Sequence, residues 1–345
     1  MINTIKRIMR KCFLLFTLFF SLSVNAQLKW INVDSLYQPL PSSVHVYYTN
    51  EPIDTAPFRA YYLIADLKDK KIDFTVDTTL GRRLTPAQFY QKNNQPLVAV
   101  NCTFFSFQTN QNLNVVVKEG KLVGYNIHTV ALKGKDTLTY LHPFRSAIGI
   151  AKDRTPDIAW TYTDSLFNSP FILGTPKHPA KDSLKNLNLD SAQYYASPIG
   201  QINMSSSRVK FSHDNKFIPV FEKWKIQTAV GGGPVLIQNG EIKITNQEEI
   251  MFVGKAINDK HPRTAMGYTK DGKLIILMIE GRNTVAHGAT LGQEAQILKD
   301  LGCWESLNLD GGGSSCMLVN GKETIKPSDA TGQRAVPAVF IIKRN

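Results

Sequence analysis

Short apolar runs rich in Val, Ile, Leu and Tyr recur along this 345-residue chain, divided by turns bearing Gly, Pro and Asn. Residues 44–48 (VHVYY), 59–66 and 72–76 read as strands, the last two joined by a lysine-rich turn at 68–71. Thr85-Pro86-Ala87-Gln88 predicts a short helix, with Thr85 as N-cap and proline in the first turn. Residues 97–100 form a short apolar strand that stops at Asn101, and short strands alternate with turns from 113 to 162. Regularity returns at 228–237, and the Leu-, Ile- and Met-rich run 273–279 predicts a buried strand. Helix periodicity is clearest at 290–301: Thr290 can cap, Gln293 and Glu294 lie in the first turn, Ala295, Leu298 and Leu301 share a face, and Gly302 stops it. Further strands are expected through Leu307 and Leu309, at 316–319 and at 335–342. The pattern predicts an α+β fold, strand-rich with few helices and one clear helix at about 290–301.

The N-terminus changes what counts as the folded chain. Lys6, Arg7, Arg10 and Lys11 precede an apolar stretch at 13–24, and Val24-Asn25-Ala26 resembles a small-residue cleavage site. Residues 1–26 are therefore read as a signal peptide, which implies a secreted or periplasmic protein. No later stretch is long and apolar enough for a membrane helix, so no stable membrane insertion is expected after signal removal. The segment carries four basic and no acidic residues, so the formal charge falls from +12 to +8 on its removal. The excess is spread without a block of like charges, which excludes a nucleic-acid footprint and leaves a mild pull on anionic partners. Cys102, Cys303 and Cys316 remain, with no C-x-x-C pair or Cys/His cluster, so no metal or other cofactor is expected. A Cys303–Cys316 bridge is left open. Residues 27–96 form an N-terminal strand-rich segment and 97–345 the main domain, with an irregular proline-rich insertion at about 163–227.

Candidate chemistry concentrates near the C-terminus. Glu280-Gly281-Arg282-Asn283 and Asp310-Gly311-Gly312-Gly313-Ser314-Ser315 each follow an apolar strand and place a carboxylate beside glycine. Asp310 either points into a cleft or bonds its own turn. Glu280 serves as an acid/base or as half of a structural ion pair. Arg263, in His261-Pro262-Arg263-Thr264-Ala265, either grips an anion or pairs with one of these acids. His261 and His287 are acid/base candidates, because imidazole as a group titrates near neutrality, or plain loop histidines. Asn101 bonds a sugar hydroxyl or caps its strand. Gly231-Gly232-Gly233-Pro234 is a second glycine cluster, without an adjacent acid. A P-loop, a dinucleotide fingerprint and a G-x-S-x-G elbow are all absent from the sequence.

Taken in order, these strings, together with Asn101-Cys102-Thr103-Phe104-Phe105, resemble the phosphodiester glycosidase family from about Leu97 to the C-terminus, most densely from Thr228 to Ile342. One departure is Cys102, where the family more often has glycine. The resemblance implies a mixed-sheet domain that hydrolyses the glycosidic C–O bond of a sugar-1-phosphodiester, or a related glycoside, with a carbohydrate or sugar-phosphate as partner. It implies that Asn101, Arg263, Glu280, Asn283 and Asp310 line the pocket. On this reading Glu280 and Asp310 are the catalytic pair, Arg263 holds phosphate, and Asn101 and Asn283 orient hydroxyls. Arg282, Gly311, Gly312, Gly313, Ser314, Gly232 and Gly233 complete the substrate-binding set. The alternatives are a non-catalytic envelope glycan-binding or exopolysaccharide-assembly protein, and a metal-dependent phosphodiesterase that cuts the P–O bond.

Overall fold

The computed structural model describes residues 27–131, 140–173, 180–182, 208–209 and 221–345. The signal peptide read at 1–26 and most of the proline-rich stretch lie outside the described residues. The α+β, strand-rich class is observed, with three α-helices among the described residues: Pro86–Lys92, Asn246–Glu249 and Leu291–Asp300. Every described strand pairing is antiparallel, where the family resemblance implied a mixed sheet.

The site is positioned by an eight-stranded sheet. Its order is Ile31–Asn32, Val44–Thr49, Ala60–Asp66, Lys273–Ile279, Arg263–Thr269, Cys303–Asn308, Val235–Gln238 and Glu241–Ile242. A five-stranded sheet containing Val98–Asn101, Met317–Val319 and Ala338–Arg344 packs nearby, as does a second eight-stranded sheet that includes Arg145–Ile150 and Thr228–Gly231. The largest core cluster draws on all three: Leu63, Met266, Met278 and Leu307 from the first, Val98, Val100 and Phe340 from the second, Ile148, Trp160 and Val230 from the third. Because side chains alternate across a strand, Met266 enters this core while Ala265 faces the other way.

That other face is closed by the helix Leu291–Asp300. Thr290 Oγ1 accepts from the Gln293 N–H at 3.1 Å, and Gln293 Oε1 accepts from the Thr290 N–H at 3.0 Å, which completes the expected capping box. Leu291, Ala295 and Leu298 then bury against Ala265, Ile275, Leu277 and Ile279. The shorter helix Pro86–Lys92 carries the same device at Thr85 and Gln88. All three remaining cysteines are buried and free, so no Cys303–Cys316 bridge forms.

The decisive register concerns the strand Arg263–Thr269. Both its neighbours run antiparallel to it, with Arg263 opposite Ile279 and Ala265 opposite Asn308. Their chain ends therefore emerge together, at the start of the strand they flank. Gly267 sits in the middle of this three-strand unit, where an added Cβ would lie 2.6 Å from the Glu305 carbonyl and 2.7 Å from Ser306 Cβ. Gly267→Ala is expected to lower unfolding stability by about 1–3 kcal/mol through this overpacking, read as a reduced urea midpoint at unchanged slope.

Candidate active site

Glu280 is the first residue beyond Lys273–Ile279, and it is 1% exposed. Three donors converge on its carboxylate. Asn283 Nδ2 reaches Oε1 at 3.0 Å, Arg59 Nη1 reaches Oε1 at 3.4 Å, and the Lys326 N–H reaches Oε2 at 3.2 Å. The other side-chain atom of Asn283, Oδ1, accepts from the Val285 and Ala286 N–H groups and folds the turn that presents its amide. Asn283 thus orients Glu280.

Asp310 leaves the sheet two residues after Cys303–Asn308 and crosses to the five-stranded sheet. Its N–H donates to Cys102 O at 2.8 Å, and its carbonyl accepts from Asn101 Nδ2 at 2.5 Å. Asn101 is fully buried and also accepts at Oδ1 from Thr264 Oγ1 and the Cys316 N–H, each at 3.0 Å. It clamps the junction between two sheets. The Asp310 side chain has one oxygen, Oδ2, enclosed with no donor in hydrogen-bond geometry, and Ser314 Oγ, though near enough to favour the charged carboxylate, does not reach that geometry either. Burial pushes the Asp310 carboxyl up to about 7, against the opposing pull of Ser314, Arg334 and the Gly311 N–H.

One loop touches the surroundings of both acids. Lys326 donates its N–H to Glu280, and a few residues on Asp329 and Arg334 form a two-pronged ion pair, 2.7 and 2.8 Å, packed where a side chain at Gly313 would stand. Arg334 is also among the charges felt by Asp310. Glu280 and Asp310 thus share a single neighbourhood, with Gly281 and Gly311 both pressed onto Pro262.

Arg282 is exposed at the rim, with φ 62°. Its guanidinium lies over Gly312, 3.1–3.4 Å from where a Cβ would sit, and Nη2 meets His261 Nδ1 at 3.3 Å. Burial lowers the His261 pKa, and the charges of Arg263 and Arg282 lower it further, so near pH 7 the ring is neutral and Nδ1 is free to accept. His287 is exposed on the turn that follows Glu280.

Arg263 lies close enough to the Arg282–His261 pair for its charge and that of Arg282 to act on each other. Alternation sends it to the helix face, where it is 2% exposed, donates from Nε to Ala289 O and from Nη2 to Asp259 O, and stacks 5.6 Å from the Phe252 ring. Glu294, fully buried with both oxygens unpartnered, lies near it; burial raises that carboxyl to about 8 against the pull of Arg263, so near pH 7 it is mostly protonated. Gly232 and Gly233 are also enclosed. A Cβ at Gly232 would come 2.5 Å from Asn308 O, and the Gly233 N–H donates to that same oxygen at 2.8 Å. These glycines let a buried turn pack on the strand that ends at Asp310.

Arg59, Lys326, Asp329 and Arg334 escaped the sequence reading because no local string marks them; Arg59 meets Glu280 across 221 positions. Glu249 was missed as well: fully buried, it accepts from the Ser146 N–H and Oγ, Trp160 Nε1, the Val235 N–H and Thr245 Oγ1, tying the glycine turn to two sheets. No group of three or more His, Cys, Asp or Glu gathers among the described residues, and no helix among them is long and apolar enough to cross a membrane.

A strand-rich domain with two glycine-flanked acids at one sheet end is the class this geometry defines, and a family that the chain resembles can be set beside it. The phosphodiester glycosidase family model matches residues 181–343, which bears out the resemblance carried by the motifs. The chain is 33% identical over 102 residues to the mouse N-acetylglucosamine-1-phosphodiester alpha-N-acetylglucosaminidase, a match covering 27% of this chain and 20% of that protein. It is 36% identical over 85 residues to the SPbeta prophage-derived uncharacterized protein YomE of Bacillus subtilis, covering 25% and 13%. The match thus spans a fifth or less of these curated relatives. In fold, the zebrafish N-acetylglucosamine-1-phosphodiester alpha-N-acetylglucosaminidase catalytic domain, auto-inhibited by its pro-peptide, superposes with a TM-score of 0.55 at 19% identity, covering 92% of this chain and 89% of that one. A hypothetical protein from Synechocystis does so with a TM-score of 0.57 at 14% identity, covering 92% and 64%.

The raised Asp310 pKa carries a sign for stability. The folded state holds this proton more tightly than the unfolded chain, so the contribution is fully present below the unfolded value of 3.8 and is lost as pH rises through about 7. Asp310→Asn removes that dependence. Wild type should therefore lose stability relative to the variant between pH 4 and 7.5, measured as the difference in urea midpoints; a constant difference would contradict the burial of this carboxyl.

Proposed function

We propose that this protein is an exported glycoside hydrolase that cleaves the glycosidic C–O bond of a sugar-1-phosphodiester. One observation supports the reading: the loop from Lys326 to Arg334 donates to Glu280 and packs at Gly313 near Asp310, which brings two acids 30 positions apart in sequence into one neighbourhood.

In this reaction water attacks the anomeric carbon, the bond from that carbon to the phosphate oxygen breaks, and the electron pair leaves with the phosphate monoester. Phosphate leaves readily, so the demanding tasks are stabilising the oxocarbenium-like transition state and taking a proton from water. Asp310, with a pKa near 7, is assigned the proton transfer. Glu280, held by Arg59, Asn283 and the Lys326 N–H, is assigned the fixed negative group that faces the developing positive charge. Phosphate is assigned to the exposed Arg282 above Gly312, because Arg263 is 2% exposed and its guanidinium is bonded to the Ala289 and Asp259 carbonyls. Asn101 and Asn283 act by positioning Asp310 and Glu280 respectively.

Two measurements test this. The kcat/KM for a sugar-1-phosphodiester should rise with pH through an ionisation near 7, and Asp310→Asn should abolish that limb and lower kcat by about 10²–10⁴-fold; a fully active variant would rule out the assignment. Turnover in ¹⁸O-water should put the label on the sugar, whereas label in the phosphate would mean P–O cleavage. In parallel, Arg282→Ala should raise KM by roughly 10–100-fold, the worth of one charged hydrogen bond, with a smaller effect on kcat.

A further inference from the structure

Beyond Gly313 the site continues into a structure that the catalytic assignment does not use. Phe107 is 63% exposed, an unusual position for a large aromatic side chain. Two guanidiniums flank its ring: Arg83 with its central carbon 5.2 Å from the centroid, and Arg334 at 5.3 Å. Arg83 is also 5.2 Å from the Phe105 ring, which itself lies 4.8 Å from Phe107. Arg334 belongs at once to this stack and to the surroundings of Asp310, since it packs on Gly313.

The charges on the two arginines are not equivalent. Asp329 takes both prongs of Arg334 and neutralises it. Arg83 has no salt-bridge partner among the described residues, and it comes from a loop that also holds Arg82. The stack therefore ends in an uncompensated positive charge, fixed in direction by two aromatic rings. A guanidinium so held keeps its N–H edge free for a second anion.

We infer that Arg83 and Phe107 form an outer subsite for the alcohol side of the phosphodiester, and that this alcohol carries a second anionic group such as another phosphate. This deepens the proposed function and rests on it for orientation. The sugar occupies the Glu280 side, the scissile phosphate lies at Arg282 and Gly312, and the remaining chain of the substrate runs over Gly313 and Arg334 to Phe107 and Arg83. A phosphodiester ending in a small neutral alcohol would leave Arg83 unused. A phosphate-repeating or otherwise polyanionic glycan would engage it.

The test is calorimetric binding of two probes, propyl phosphate and propane-1,3-diyl bisphosphate. Wild type is expected to bind the bisphosphate about tenfold more tightly. Arg83→Ala should abolish that preference while leaving propyl phosphate affinity unchanged, and Phe107→Ala should reduce it. Lys121→Ala, a change at an exposed position on another sheet, should leave the preference intact. The subsite is refuted if wild type shows no preference, or if the preference survives Arg83→Ala. The binding readout needs no turnover. A wild-type protein that keeps the preference yet cleaves no sugar-1-phosphodiester refutes the hydrolytic reading alone, and intact turnover without the preference refutes the subsite alone.

Discussion

Three chain segments meet at the backbone of Pro262, and the rest of the site depends on how closely they approach. The Gly312 N–H donates to the Pro262 carbonyl at 2.8 Å, a Cβ on Gly311 would lie 2.8 Å from that oxygen, and a Cβ on Gly281 would lie 2.9 Å from Pro262 N. No side chain can be accommodated at those distances without moving backbone. The glycines after Glu280 and Asp310 are therefore a packing requirement before they are a ligand-binding feature. They let the ends of two strands fold inward over the start of the strand between them. Without that approach the two acids would diverge into solvent.

Burial then separates the acids by environment. Glu280 is enclosed with three donors, one of them cationic, so its desolvation is compensated. Asp310 is enclosed at Oδ2 with no donor on that atom, and burial dominates its titration. Two carboxyl groups in such different surroundings can take different roles in one reaction. A third buried acid, Glu294, also lacks hydrogen-bond donors, yet it is fully buried near Arg263 on the helix that covers the sheet's other face. A perturbed pKa alone would not have distinguished Glu294 from Asp310; the glycine turn and the Lys326–Arg334 loop do.

Much of this was legible locally. The helix at 290–301 announced itself through Thr290 and Gln293, and the strand at 273–279 through its unbroken apolar run, because both signals depend only on neighbours in sequence. The strand-end carboxylates were legible for the same reason. What could not be read was the direction of each side chain. Arg263 sits in the same motif as His261, but which face of the sheet its side chain takes depends on register, and register is a property of three strands together. Asn101 was legible as a strand end, and its three side-chain hydrogen bonds reach positions 264, 310 and 316. Arg59, Asp329 and Arg334 carry no motif at all; only the fold brings them to the acids.

The sheet also bears on how far apart the acids can work. Lys273–Ile279 and Cys303–Asn308 are second neighbours, which places their backbones roughly 10 Å apart at the usual strand spacing. Direct attack by a carboxylate on an anomeric carbon calls for carboxyl groups about 5–5.5 Å apart, and an intervening water for about 6.5–9.5 Å. Glu280 is anchored on its side of that gap by Arg59 and Asn283 and by a backbone donor. Asp310 hangs from a junction between sheets, with Asn101 and Cys102 holding only its main chain. The acid assigned the proton transfer is thus the less constrained of the two, and the one assigned the fixed charge is the more constrained. That division follows from which strand end is tied by side chains and which by backbone.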